Sequence, residues 1–227
     1  DIVPILGENR ILTYYGLAQI RKNPREGIKP FISGIKRELN VTDLVFVIAP
    51  RLNAAGRIKH GSLAVELLLS NDPTEALSRG RAIELFNSER QVLDQHITEQ
   101  ALDQIVENQE QNNYSSVVFQ PDWHKGVIGI VASRLIEKYY RPTVVFTASG
   151  DFFTGSVRSV KGLDVFQILD SCKDHIEKFG GHRYAAGLTI KAEAYIAFKK
   201  AFEQAVAVTV KPEQRIPSVD YDMEISL

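Results

Sequence analysis

The chain has few of the residues that announce covalent or metal chemistry. Its 227 residues include one cysteine, one methionine and one tryptophan. With Cys172 alone, intramolecular disulfides and cysteine-rich zinc sites are excluded, and a reducing compartment is favoured. No apolar run reaches the ~20 residues a membrane-spanning helix needs, and no secretory h-region is present, so the expectation is a soluble, cytoplasmic protein with no membrane partner. Neither sign of charge dominates: 27 Lys and Arg against 28 Asp and Glu leave a formal net charge of −1. That excludes a surface basic all over while still allowing a local basic groove. HExxH, Asp and His at metal-ligand spacing, and a nucleophile elbow are all missing from the sequence. Asp43, Asp72, Asp122, Asp151, Asp164 and Asp170 are scattered, each suited to capping or turns. No residue is expected to be catalytic or to ligate a metal; the chain offers binding groups without a reaction centre.

What is present is ordinary globular material: 44% hydrophobic and 24% charged residues, which argues against disorder and leaves room for one large or two smaller domains. Residues 1–60 mix short strand and helix signals. "DIVPIL" reads as a strand, "ILTYYGLAQIRK" as a helix with Leu12, Tyr15 and Ile20 on one face, and 31–39 as another short helix. "SLAVELLLS" predicts a short buried helix with Ser62 as its N-cap. From Pro73 to about Asn112 there is one glycine and no internal proline. Phe86, Leu93, Ile97, Ala101 and Ile105 recur at helical spacing, with Glu84, Glu89, Arg90, Asp94, Glu99, Asp103 and Glu107 largely between them. One helix over about 74–112 is predicted, about 57 Å long, serving either as half of a coiled coil or as a spacer between domains. Beyond it, strands at "SVVFQ", "PTVVFTA", "FTGSVRS" and "AAGLTI" alternate with helices at "GVIGIVASRLIEKYY", "DVFQILDSCKDHIEKF" and "AEAYIAFKKAFEQAVA". This predicts a three-layer α/β domain. The start at Asp1 and the strand-like "SVDYDMEISL" at the other end read as cuts, so a longer parent protein is expected.

Four stretches could bind a ligand. In "WHKGVIGIVASRL" a strand gives way to a helix whose first turn carries Gly126 and Gly129. Free N–H groups and the helix dipole there favour an anion, Trp123 offers a stacking face, and His124 or Lys125 a polar contact. The same small residues would equally serve close helix–sheet packing. In "GSVRS", Ser156 and Arg158 share one strand face, a hydroxyl beside a guanidinium, which suits phosphate as well as it suits a solvated edge. "APRLNAAGR" sets Arg51, Asn53 and Arg57 around small residues. It is read as a compact loop that either contacts an anion or pairs its arginines with acidic residues of the long helix. "KFGGHRYAAG" surrounds His182 with Gly180 and Gly181, which would let a ligand approach the main chain, although a lone histidine also has structural uses.

In this order, "GENR", "IAPRLNAAGRI", "SLAVELLLS", "WHKGVIGIVASRL", "GSVRS" and "FGGHRYAAGLTI" resemble the RecJ family of bacterial single-strand-specific exonucleases, within the DHH phosphoesterase superfamily. The resemblance covers essentially the whole chain. "FGGH" followed by "AAG" marks the broader DHH-associated domain, whereas "APRLNAAGR" before a long helix is more specific. The resemblance implies an α/β fold: a three-layer mixed-sheet DHH-associated domain preceded by a helical connector with one long helix. Residues 1–20 would be the tail of a DHH catalytic domain, 21–112 the connector, 113–210 the DHH-associated domain, and 211–227 the start of an oligonucleotide-binding fold. It further implies 5′→3′ degradation of single-stranded DNA in repair and recombination, with Mn²⁺ or Mg²⁺ held by residues outside this chain. Gly180, Gly181, His182, Ser156 and Arg158 would hold phosphate, Arg51, Asn53 and Arg57 would border the DNA path, and His124 would line the cleft. The chain alone would then be inactive. An oligoribonuclease, a cyclic-dinucleotide phosphodiesterase or a non-catalytic nucleic-acid-binding module remain as alternatives.

Overall fold

The computed structural model describes residues 4–218 and 223, and the chain divides into two compact units, residues 1–92 and 93–227. Most of the C-terminal segment expected as a strand, and residues 1–3 of the N-terminal one, lie outside the described residues; Pro4 to Leu6 form no strand.

The first unit is helical. Helices α1 (Gly7–Lys22), α2 (Lys29–Ile32), α3 (Val41–Asp43), α4 (Ala49–Ile58) and α5 (Ser62–Leu69) precede α6 (Pro73–Glu107), and no strand occurs among its described residues. The strand signals of the sequence therefore mislead here. "LVFVI" is rich in β-branched residues, yet it forms a π-helical turn, Leu44–Ile48, that joins α3 to α4. The reason lies in Pro50, which lacks an N–H and whose ring would clash with the carbonyl four residues back. The widened turn, closed by Ala49 N–H donating to the Leu44 carbonyl, accommodates it. Phe31, Ile48, Ala55, Ala64, Leu67, Ala76 and Ile83 make the core. In α1 only Leu17 is buried, so Leu12 and Tyr15 face solvent. Residues 33–39 are not helical, and Gly61 rather than Ser62 stands at the N-cap of α5. Asp43 does cap: its carboxylate accepts from Asn40 N–H at 2.9 Å and from both terminal nitrogens of Arg37. The Arg37 bonds, with the Asn40 amide, hold that carboxyl below its ordinary range.

The second unit is built on a five-stranded mixed sheet ordered β1-β2-β3-β5-β4. Its strands are β1 (Ser116–Phe119), β2 (Thr143–Ser149), β3 (Phe152–Arg158), β4 (Lys178–His182) and β5 (Ala185–Lys191). Strand β1 runs parallel to β2 and the other pairings are antiparallel. Helix α7 (Ile128–Tyr139) lies on one face; α8 (Val165–Ser171) and α9 (Tyr195–Thr209) cover the other, where Phe146, Val157, Leu188, Ile190, Phe198 and Phe202 form the core. Asp164 caps α8, as its place before an apolar run predicts. The helix expected to continue to Phe179 instead stops at Ser171. A 3₁₀ turn, Lys173–His175, then redirects the chain so that Phe179 can pair with Leu188 and pack on Phe166, 5.3 Å away. Cys172 is buried in this core, and burial pushes its thiol pKa up, the opposite of a reactive thiolate.

Helix α6 has 35 residues and ends at Glu107, short of the predicted 112. Gln109 adopts φ 57°, and Glu110 N–H reaches back to the Ile105 carbonyl while Gln109 N–H reaches that of Val106, a Schellman ending. Beyond it, residues 110–116 are fastened from two sides. Arg141, only 6% exposed, donates to the carbonyls of Glu110, Gln111 and Asn113 and to Ser116 Oγ, at 2.7–3.0 Å. Glu203 accepts from Tyr114 N–H, Ser115 N–H and Ser115 Oγ. Burial lowers the Arg141 pKa, but its acceptors keep a group of this kind charged. Replacing Arg141 with Met should therefore destabilise the fold by about 3 kcal/mol, because buried carbonyls lose a charged donor. Urea denaturation read by circular dichroism checks this; Arg141→Lys, lacking the planar fork, should recover only part of the loss.

Candidate nucleic-acid interface

Alternation along β3, β5 and β4 sorts their side chains onto two faces. Gly155 and Val157, Ala186, Leu188 and Ile190, and Phe179 turn toward α8 and α9. The other face carries three rows read straight across the register: Arg158, Ala185 and His182; Ser156, Gly187 and Gly180; Thr154, Thr189 and Lys178. Helix α7 packs over β2 and β3, while β4 and the open positions of β5 remain exposed or half-exposed. The result is a half-open sheet face floored by glycine, alanine and short hydroxyls. Arg158 and His182 stand two strands apart, about 10 Å, with only Ala185 between them.

"KFGGHRYAAG" is thus not a free loop. Residues 178–182 form the edge strand, and Arg183 and Tyr184 turn the chain into β5. The two adjacent glycines have different reasons for being there. At Gly181, φ is +153°, and a Cβ would sit 2.4 Å from the Ala185 carbonyl oxygen. At Gly180 a Cβ would meet nothing within 4 Å, and at Gly187 only a carbonyl oxygen at 3.9 Å. Internal packing therefore demands glycine at 181 and leaves 180 and 187 clear of protein.

The N-terminus of α7 closes one side of this face. Gly129 lies buried beneath Ser156 and Arg158: a Cβ there would stand 2.9 Å from both Ser156 Oγ and Arg158 Nη2. Close helix–sheet packing and the placement of the Ser156–Arg158 pair thus coincide at one residue. Arg158 Nη1 donates to Ser156 Oγ at 3.0 Å and to the Val157 carbonyl at 2.8 Å, fixing the guanidinium beside the hydroxyl. The His124 carbonyl receives the Val127 and Ile128 N–H groups, and its Nδ1 accepts from Gly126 N–H at 3.1 Å. His182 Nδ1 accepts from Tyr184 N–H at 3.3 Å in the same way. In each neutral ring the proton therefore resides on Nε2, the outward donor. Lys125 is exposed.

Two expectations need correction. Trp123 is no stacking platform: it is 4% exposed, and its Nε1 donates to Gln100 Oε1 at 2.8 Å. In the other unit "APRLNAAGR" is helix α4, not a loop. Its Arg51 donates to Glu84 on α6 at 2.5 Å and to the Val47 carbonyl at 2.7 Å, the pairing with acidic residues left open as the second reading. Asn53 is exposed on that helix and Arg57, in its last turn, is half-buried. Sequence reading missed the open-face positions of β5 and β4 beyond the GGH triplet, Thr189 and Lys178. The strict alternation of "AAGLTIK" was the available signal.

Residues 94–208 match the DHHA1 domain family. The single-stranded-DNA-specific exonuclease RecJ of Bacillus subtilis is 37% identical over 228 residues, 98% of this chain but 29% of that protein. The enzyme of the same name from Escherichia coli is 35% identical over 224 residues, 93% and 39% respectively. The crystal structure of RecJ from Thermus thermophilus in complex with Mn²⁺ superposes with a TM-score of 0.85 at 31% identity, covering 93% of this chain and 32% of that one. The chain spans about a third of the length of the relatives it matches.

The contrast between the two glycines is directly measurable. Gly181→Ala should cost about 2 kcal/mol and lower the thermal midpoint by several degrees, whereas Gly180→Ala should leave it within about 0.5 kcal/mol. Differential scanning calorimetry of the two variants separates these outcomes.

Proposed function

Because the chain belongs to the DHHA1 domain family, we propose that it is the phosphate-gripping part of a RecJ-type exonuclease, a cytoplasmic enzyme degrading single-stranded DNA 5′→3′ in repair and recombination. The observation that carries this reading is the half-open sheet face on which Ser156 and Arg158 sit against the N-terminus of α7, with His182 across an alanine. A phosphate in that gap would take charged donors from Arg158, a hydroxyl from Ser156 and Nε2–H from His182. The positive end of the α7 dipole would add to the attraction. These contacts address the sugar–phosphate backbone and no base edge, so binding would be independent of sequence.

Among the described residues no group of three or more His, Cys, Asp or Glu side chains could hold a metal ion. The Mn²⁺ or Mg²⁺ that the RecJ resemblance implies would be held by ligands in the rest of the parent protein. The role of the chain is to fix the phosphodiester so that its scissile bond stays in one orientation, a contribution that positioning alone can make large. Gly180 and Gly187 serve by offering no side chain where the strand must approach. Arg51, whose Nε is held by Glu84, is assigned with Asn53 and Arg57 to the border of the DNA path, and His124 to the cleft lining.

In the full-length protein, Arg158→Ala and His182→Ala should each weaken binding of a single-stranded oligonucleotide at least tenfold, with unchanged circular dichroism, since a charged or well-aligned donor is lost. Fluorescence anisotropy under metal-free conditions reads the effect, and wild-type affinity in both variants would contradict the assignment. Faster turnover of dinucleotides than of long single strands would instead indicate a small-substrate phosphodiesterase.

A further inference from the structure

The third row of the open face, Thr154, Thr189 and Lys178, has no part in the site described above. It lies two residues along the strands from the row of Ser156, Gly187 and Gly180, about 6.8 Å away, and four residues, about 14 Å, from the row of Arg158 and His182. The shorter distance is of the order of one phosphate repeat in an extended single strand, the longer of two. Between this row and the Arg158 row the floor is two glycines and a serine, and the space over the glycines is clear of protein. Lys178 is exposed at the sheet edge and, among the described residues, makes no ion pair; the neighbouring Glu177 pairs instead with Lys191 at 3.6 Å. Thr154 and Thr189 are half-exposed, their hydroxyls on the same face.

We propose that Lys178, with the Thr189 and Thr154 hydroxyls, binds a further phosphate of the same strand, one or two nucleotides from the phosphate held by Ser156, Arg158 and His182. The inference rests on the phosphate-binding reading above and extends it. The nucleic-acid strand runs along β5 and β4 over Gly187 and Gly180, and the ammonium at the edge meets the second charge. The ligand class is a single strand of at least two linked nucleotides; a mononucleotide reaches only the first site. An edge lysine also discourages edge-to-edge strand pairing, a role that concerns self-association and not nucleic-acid charge.

The test uses the full-length protein in EDTA, 3′-labelled dT12, and thymidine 5′-monophosphate as competitor, across a series of salt concentrations. Lys178→Gln should weaken dT12 binding about threefold and reduce the slope of log affinity against log salt by about 0.7, the contribution of one single-strand phosphate contact. Lys178→Arg should restore both, and the competitor's affinity should not change. An unaltered slope in Lys178→Gln, with Arg158→Ala still weakening dT12, would overturn this inference and leave the first site standing. If neither variant affects dT12, the phosphate-binding reading falls and this inference falls with it. A loss confined to self-association, seen by sedimentation, assigns Lys178 to edge protection and also overturns the proposal.

Discussion

The sheet of the second unit is covered completely on one face and only partly on the other, and that unevenness determines what its residues can do. Helices α8 and α9 seal the apolar face with Phe179, Leu188, Val157 and their neighbours. On the opposite face α7 packs over β2 and β3 and leaves the far strands uncovered. Strand β3 lies on the boundary, so its outward residues Ser156 and Arg158 are half-buried against α7 yet still border open surface. Gly129 makes the boundary possible, because any side chain there would displace both groups.

A partly buried arginine beside a hydroxyl and a helix N-terminus needs a rigid setting, since aimed donors act best when they do not have to be reorganised. Several contacts within the unit supply it. Gln104 bonds both the N–H and the carbonyl of Phe119, acting toward β1 as a further strand would. Trp123 is pinned by Gln100, and its carbonyl accepts from Thr147 Oγ1 at 2.6 Å, so the segment leading into α7 is held before the first turn begins. Arg141 and Glu203 fix the stretch between α6 and β1. The single tryptophan is therefore a structural residue, and the groups proposed to face phosphate, Ser156, Arg158 and His182, are polar.

Much of this was legible in the sequence because period and punctuation agree with the fold. The alternation in "GSVRS" put Ser156 and Arg158 on one face, the glycines of "KGVIG" marked the entry to α7, and Asp164 announced α8. Where reading failed, tertiary contacts outweighed local preference. "LVFVI" favours a strand, but Pro50 and the surrounding helices impose a π turn. "SCKDHIEKF" looks helical, yet pairing of Phe179 with Leu188 draws its end into the sheet. The long helix stops early because Gln109 takes a left-handed conformation that no glycine or proline signalled. Trp123 was misread for a different reason: composition shows a flat ring, but not that Gln100 already holds it.

The central claim is that the half-open face, and not the helical face, meets nucleic acid. Backbone amide chemical shifts of the 227-residue chain, followed by NMR during titration with a single-stranded dT hexamer, test it most directly. The account predicts that the largest changes fall at Gly129, Ser156 to Arg158 and Gly180 to Ala185. Changes concentrated on α8 and α9, or none at saturating oligonucleotide, would contradict it.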